Sequence, residues 1–317
     1  MSFWQGKTVL VTGASGFVGT HLVKRLLEKK SRIITLSKKG SELLKDTQNE
    51  VGCSIEDFEK INSLIQKNKV DIIFHLAAQP IVEIGQSNPI RTFEVNIRGT
   101  WNILEAAREN NVKKIIIAST VHVYGDNPKT PFKEEYFPQP SRPYETSKAC
   151  ADLLAQSFAD TYNLPVEIPR FVNIYGPGDS NFSRLIPKVI KSILVGEKPE
   201  VWDIGSIRDF LYIDDVISAY LKLAEKKLNG GKRLRVFNFG TGKPIKIHDL
   251  VLKIIELSKK KIKLEMEKPP EERANEIKKQ YVSITKAKRE LNWFPKVSLE
   301  DGLTRTIDWY QKNSGSI

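Results

Sequence analysis

Near the N-terminus, Gly13-Ala14-Ser15-Gly16-Phe17-Val18-Gly19 directly follows the apolar run Thr8-Val9-Leu10-Val11. Glycine tolerates positive φ and lets backbone approach a ligand closely. A helix opening near Gly16 aims its free N–H groups at an anion. This strand–turn–helix confines the chain to an α/β sheet whose first crossover suits a dinucleotide. Gly13, Ser15, Gly16, Phe17 and Gly19 are the candidate contacts. A glycine-rich turn without a ligand is the plainer alternative, and the flanking strand and helix argue against it.

The rest of the chain agrees. Short β-branched, apolar runs at 7–11, 32–36, 70–76, 113–118 and 164–171 alternate with helical patterns at 21–28, 58–68, 88–110 and 144–162. Such alternation predicts a parallel sheet with helices on both faces. Beyond Asn173, 183–195, 214–226, 247–259, 283–291 and 299–311 read as helices, and 236–239 and 262–266 as strands. The expected fold is α/β: a Rossmann-type doubly wound parallel sheet with a smaller α/β C-terminal substrate lobe. Residues 1–173 form the dinucleotide domain, to which 210–240 return. The lobe takes 174–209 and 241–317.

Charge and cysteine usage narrow the partners. A net charge of +12 admits nucleic acid or an anionic ligand. Lysines such as Lys259, Lys260, Lys261 and Lys263 read as solvated surface, and no interleaved aromatic–basic motif occurs, so no nucleic-acid partner is expected. A basic cleft for a diphosphate remains. No apolar run approaches the roughly 20 residues of a membrane span. The N-terminus runs straight into a strand, so no signal peptide is expected. Cys53 and Cys150 are far apart and outside ligand spacing, which predicts no metal site and a reducing cytoplasm.

A second motif, Tyr144-Glu145-Thr146-Ser147-Lys148, opens a helix. Four residues apart, Tyr144 and Lys148 stack on one face. A tyrosine ordinarily titrates near pH ~10. A lysine cation one turn away, with the positive nicotinamide ring, would lower that value and let Tyr144 take an alcohol proton as a hydride leaves the same carbon. At the second strand's end, Ser37 is followed by Lys38-Lys39, with no carboxylate in sequence. That favours NADP(H) and leaves NAD(H) open; a solvated loop is the plainer reading of the lysines.

Upstream of the tyrosine helix, the strand Ile115-Ile116-Ile117-Ala118 leads into Ser119-Thr120. With the glycine loop, this resembles the extended short-chain dehydrogenase/reductases of the NAD-dependent epimerase/dehydratase family, which act on nucleotide sugars. The resemblance spans nearly the whole chain and includes the segments 75–80, 96–100, 170–178 and 208–216. It implies that Thr120 holds the reacting oxygen beside Tyr144, and that Lys148 also holds the nicotinamide ribose. Ile55, Leu76, Ala77 and Ala78 would line the cofactor, although Ser54-Ile55 replaces a usual Asp-Ile. Gln79, His122 and Leu185 would meet the substrate, and Asn173, Arg208 and Arg273 its diphosphate. An ion pair with Asp209 is the plainer reading of Arg208. Relatives form homodimers through helices equivalent to 88–110 and 144–162.

The reaction is harder to read. Segments 75–80, 184–187 and 280–291 look most like the CDP-glucose 4,6-dehydratases. Most dehydratases follow the Thr with Asp-Glu, and the CDP-glucose branch with Asp-Lys; this chain has Val121-His122. Val121 cannot donate a proton, so elimination lacks its acid. His122 could act as a base, although a lone histidine is more often structural. A sugar-nucleotide 4-epimerase is expected, with an NADPH-dependent 4-keto-sugar reductase as the alternative. A 4,6-dehydratase and a non-enzymatic RNA-binding or sensor protein rank below them.

Overall fold

The computed structural model describes residues 2–37, 50–201, 205–227, 235–262, 264 and 277–313. In chain order the first elements are β1 (Thr8–Thr12), α1 (Phe17–Glu28), β2 (Arg32–Ser37), β3 (Glu50–Gly52), α2 (Phe58–Asn68), β4 (Ile72–His75), α3 (Val82–Ser87), α4 (Pro89–Phe93), α5 (Gly99–Glu109), β5 (Lys114–Ile117), β6 (Ser119–Thr120) and α6 (Pro143–Tyr162). There follow β7 (Val166–Phe171), β8 (Asn173–Tyr175), α7 (Leu185–Leu194), β9 (Ile207–Arg208), β10 (Phe210–Tyr212), α8 (Ile213–Glu225), β11 (Val236–Phe239), β12 (Ile245–Lys246), α9 (Ile247–Ser258), β13 (Lys279–Gln280), α10 (Thr285–Leu291) and α11 (Leu299–Lys312).

Two compact units emerge. The first comprises Met1–Gly125, Glu134–Arg170 and Ile217–Phe237; the second comprises Asp126–Lys133, Phe171–Val216 and Asn238–Ile317. Among the described residues the main sheet runs β11-β7-β5-β4-β1-β2-β3, with β6 beside β7. Its pairings from β3 to β7 are parallel. A chain that reverses its strand order next to β1 is the Rossmann arrangement, in which ligands meet the carboxyl ends of the strands.

Burial explains why the strand sequences are almost unbroken apolar runs. Leu10, Ile73, Ile115, Ile117, Val166 and Ile168 share one core with Ile61 and Ile65 of α2, Ile103 and Ala107 of α5, and Ala155 and Ala159 of α6. Parallel strands covered on both faces have no solvated side to alternate towards. The alanines let α5 and α6 lie close to the sheet.

One predicted element is corrected. The stretch 88–110, read as one helix, is divided: α4 is capped by Asn88, whose Oδ1 accepts from Arg91 N at 3.1 Å, and a π-helical turn at Glu94–Arg98 joins it to α5. The extra residue in that turn carries Asn96 inward to polar partners, and apolar spacing carries no trace of it. Helix α1 begins at Phe17, four residues before its apolar periodicity becomes visible. The expected strand 262–266 lies mostly outside the described residues, as do Lys38, Lys39 and Arg273.

The second unit holds the parallel pair β8–β10 and the small sheet β12-β9-β13. Asp215 fixes the approach to α11 by accepting from Lys296 N at 2.9 Å and Val297 N at 3.0 Å.

Candidate active site

The glycine loop is shaped by close backbone contacts. Gly13 has φ 69°, and a Cβ there would lie 2.7 Å from Ala77 N; one on Gly19 would lie 2.2 Å from Gly13 O. Neither position admits a side chain. Gly13 N donates to Leu36 O at 3.0 Å, and Ala77 N to Thr12 Oγ1 at 3.2 Å. Gly13–Phe17 and the half-buried Leu76, Ala77 and Ala78 therefore sit side by side. Ser15 and Gly16 are exposed at the loop tip. Gly16 is the N-cap of helix α1, which has no side-chain cap and no acid in its first turn. Uncapped N–H groups at a positive helix end, beside a cradle that excludes Cβ atoms, fit a dinucleotide diphosphate. Ile55 is almost fully covered, filling the space left by Gly99, where a Cβ would come within 2.5 Å of it.

At the end of β2 the fold supplies what the local sequence lacks. Ser37 Oγ donates to Glu50 Oε1 at 2.8 Å, so a carboxylate from β3 stands there after all. Glu50 is distant in sequence, and only the parallel register of β2 with β3 brings it in.

The second cluster gathers on β6, α6 and the loop after β4. Thr120 caps a 3₁₀ turn at Val121–Tyr124, its Oγ1 accepting from His122 N at 3.3 Å, which leaves its own proton for a ligand oxygen. Tyr144 is half-buried, with His122 edge-on to its ring at 6.2 Å between centroids. Lys148 Nζ donates to Ala118 O, at the root of the same strand. Burial pulls the Lys148 ammonium down to about 8, with Asp152 opposing. Beneath it, burial and the Lys148 charge hold His75 near 3, so it is neutral between Thr12 Oγ1 at 2.8 Å and Thr100 Oγ1 at 3.2 Å.

Two supporting groups act through long-range contacts that no spacing in the sequence announces. Asn96, delivered by the π-helical turn, accepts from Gln79 N at 2.7 Å and donates to Gln79 O at 3.1 Å and Ser147 Oγ at 2.8 Å. It ties the loop after β4 to α6. Gln79, read as a substrate contact, gives both amide hydrogens to Ile81 O and Thr92 Oγ1, each at 3.0 Å. Asp152 accepts from Arg170 Nε at 2.8 Å and NH2 at 2.9 Å, and from Ser119 Oγ at 2.8 Å. Arg170 also lies 4.8 Å over the Tyr124 ring. This fully buried network fixes β6, which carries Thr120, against α6, which carries Tyr144 and Lys148.

In the second unit, Asn173 is tied to the residue that follows Arg208 in the chain between β9 and β10. Asn173 Nδ2 donates to Asp209 O at 3.3 Å. The Asp209 carboxylate accepts from Thr241 N at 2.9 Å and Gly242 N at 3.2 Å, while Arg208 NH1 donates to Ile207 O at 3.1 Å. Leu185, half-buried, opens α7.

A Rossmann sheet with a glycine cradle and a Thr–Tyr–Lys constellation defines a nicotinamide-dependent enzyme of the extended short-chain dehydrogenase/reductase type. The family model described as NAD dependent epimerase/dehydratase family matches residues 9–240. The chain belongs to that family. It is 33% identical over 327 residues to the bovine (Bos taurus) dTDP-D-glucose 4,6-dehydratase, covering 97% of this chain and 89% of the relative. The solved UDP-glucose 4-epimerase of Thermotoga maritima, bound to UDP-glucose, superposes with a TM-score of 0.90 at 32% identity, covering 97% and 99% of the two chains. The dTDP-glucose 4,6-dehydratase of Bacillus anthracis, bound to NAD, gives 0.84 at 29% identity with 98% of each chain covered.

Proposed function

We propose that the protein is a nucleotide-diphosphate-sugar 4-epimerase that oxidises C4 transiently. The observation that carries this reading is the turn after Thr120: Val121 is wholly buried and aliphatic, so no acid stands there to expel a neighbouring hydroxyl. A bound nicotinamide supplies reversible hydride acceptance. Tyr144 takes the C4 alcohol proton and later returns it. Thr120 orients that oxygen through its O–H, and the Lys148 cation favours the ionised phenol. Inversion then requires only that the flat C4 ketone turn its other face.

The first unit is the dinucleotide-binding body in this reading, and the second is the nucleotide-sugar lobe. Asn173 and Arg208 hold the diphosphate, Arg208 by its fork of donors, and Leu185 lies towards the base. The expected preference for NADP(H) rested on Lys38 and Lys39, which lie outside the described residues. Glu50 argues the other way: a carboxylate at the end of β2 accepts from ribose hydroxyls and repels a 2′-phosphate. NAD(H) is therefore favoured, in keeping with the NAD in the Bacillus anthracis relative. Exposed Trp101 on α5, with Leu153 and Tyr162 on α6, supports a homodimer through those helices. Unpaired Cys53 and Cys150 suit the reducing cytoplasm.

The deciding experiment denatures freshly purified protein and identifies the nucleotide released. Tightly held oxidised NAD, with UDP-glucose and UDP-galactose interconverted and no added cofactor consumed, is the expected result. An empty protein that takes up NADPH in preference to NADH would sink the epimerase and install the 4-keto-sugar reductase. Release of a 4-keto-6-deoxy sugar would establish the dehydratase instead.

A further inference from the structure

The second unit contains a cavity of about 380 Å³, and none of Asn173, Leu185 and Arg208 lines it. Its floor is apolar, with Phe210 and Ile284 both buried. Its mouth carries Phe294, whose ring is half-exposed, and three exposed lysines, Lys243, Lys288 and Lys296. Those lysines converge from separate parts of the chain. Lys243 belongs to the turn before β12, Lys288 to α10, and Lys296 to the stretch between α10 and α11.

The polar groups around this cavity are unbalanced in sign. Thr241 Oγ1 donates to Asp209, and Ser298 Oγ donates to Asp301 Oδ2 at 2.7 Å, so both hydroxyls turn to carboxylates of the protein. Asp215 accepts from the backbone N–H groups of Lys296 and Val297, at 2.9 and 3.0 Å. Among the described residues, no carboxylate lines the cavity. Like charges gathered at one apolar opening repel each other, and a ligand of opposite sign removes that cost. The volume falls within the roughly 300–1,000 Å³ of small-molecule sites, which pair apolar walls with a few converging polar groups.

We propose that this cavity binds a nucleoside monophosphate, at a site separate from the contacts assigned to the nucleotide sugar. A phosphate monoester carries roughly −1.5 to −2 at neutral pH and offers three acceptor oxygens, so it answers several ammonium groups where a carboxylate answers one. Lys243, Lys288 and Lys296 hold the phosphate. The base stacks on the Phe294 ring, a flat apolar face at the mouth. Thr241 joins this wall to the diphosphate residues: it holds the Asp209 carboxylate, while Asp209 O accepts from Asn173 Nδ2 at 3.3 Å. Binding here is independent of the chemistry at C4.

The test is isothermal titration of the full chain, saturated with NAD, with UMP and separately with AMP. These nucleotides can also enter the nucleotide-sugar site, so the titrations are repeated in Arg208→Gln, where binding at the cavity should survive. Adding Lys288→Gln and Lys296→Gln to that variant should weaken the surviving affinity by at least about tenfold. Adding Phe294→Ala instead should cost about tenfold and leave the affinity for inorganic phosphate unchanged. All three side chains are exposed, and an unchanged Tm confirms that the variants fold. Three results would each overturn the proposal: neither nucleotide binding to Arg208→Gln, binding there indifferent to the lysine pair, or inorganic phosphate binding as tightly as both nucleotides. Each leaves the epimerase reading intact, since the nucleotide released on denaturation decides that separately.

Discussion

Lys148 has to remain charged to ease ionisation of Tyr144, yet burial draws it down to about 8. The alkaline limb of kcat/KM should therefore fall as pH rises through about 8, because the required cation is lost. Lys148→Arg should move that limb upward while lowering the rate, and a pH–rate profile of both forms would show it. Glu50 makes a separate prediction. Replacing it with Gln should raise affinity for NADP⁺ relative to NAD⁺ by about tenfold, the size of one modest charge contact; isothermal titration of both nucleotides reads the ratio. The places of Thr120, Tyr144 and Lys148 at a strand end and on one helix face could be read from short motifs, and their proposed roles come from the family resemblance rather than from spacing alone. The partners of Glu50 and Asn96 could not, since they meet only through sheet register and a π-helical turn.

Among elements, α6 does most to position the chemistry, and two of its contacts can be tested. Removing the Asp152 carboxylate strands the buried Arg170 guanidinium. Asp152→Ala should cost about 3–5 kcal/mol, measured by urea denaturation, and should lower activity through the displaced Ser119-Thr120 strand. On the other flank, a Cβ on Gly85 of α3 would lie 3.2 Å from both Cβ and N of Tyr144. Gly85→Ala should push the tyrosine aside and cut kcat by up to about 10²-fold, the cost of a misplacement near 1 Å, with little change in Tm. The periodic helices and apolar strands were plain in the sequence since burial alone writes those patterns. The break between α4 and α5 was hidden, because a π-helical turn keeps apolar residues inward on both sides while rotating a single polar one between them.

For the molecule as a whole, His75 sets a limit in acid. It stays neutral in the fold down to about 3 because burial, with Lys148 nearby, opposes its charge; the unfolded chain takes up that proton near the ordinary value of 6.5. Below 6.5 the unfolded state binds more protons. Stability should fall by roughly 1.4 kcal/mol per pH unit until about 3. Acid titration of wild type against His75→Asn, followed by circular dichroism, should show a flatter descent for the variant. The strand alternation that announces a Rossmann sheet was readable from the first half of the chain, and each unit is assembled from three separate stretches. That interleaving bears on how the protein is made. The edge strand β11, next to β7 in the main sheet, begins only at Val236. A ribosome will have produced most of the polypeptide before this strand can dock, so β7 remains an open edge throughout that time. Nascent chains stalled before Val236 should be prone to pair with one another and to need a chaperone.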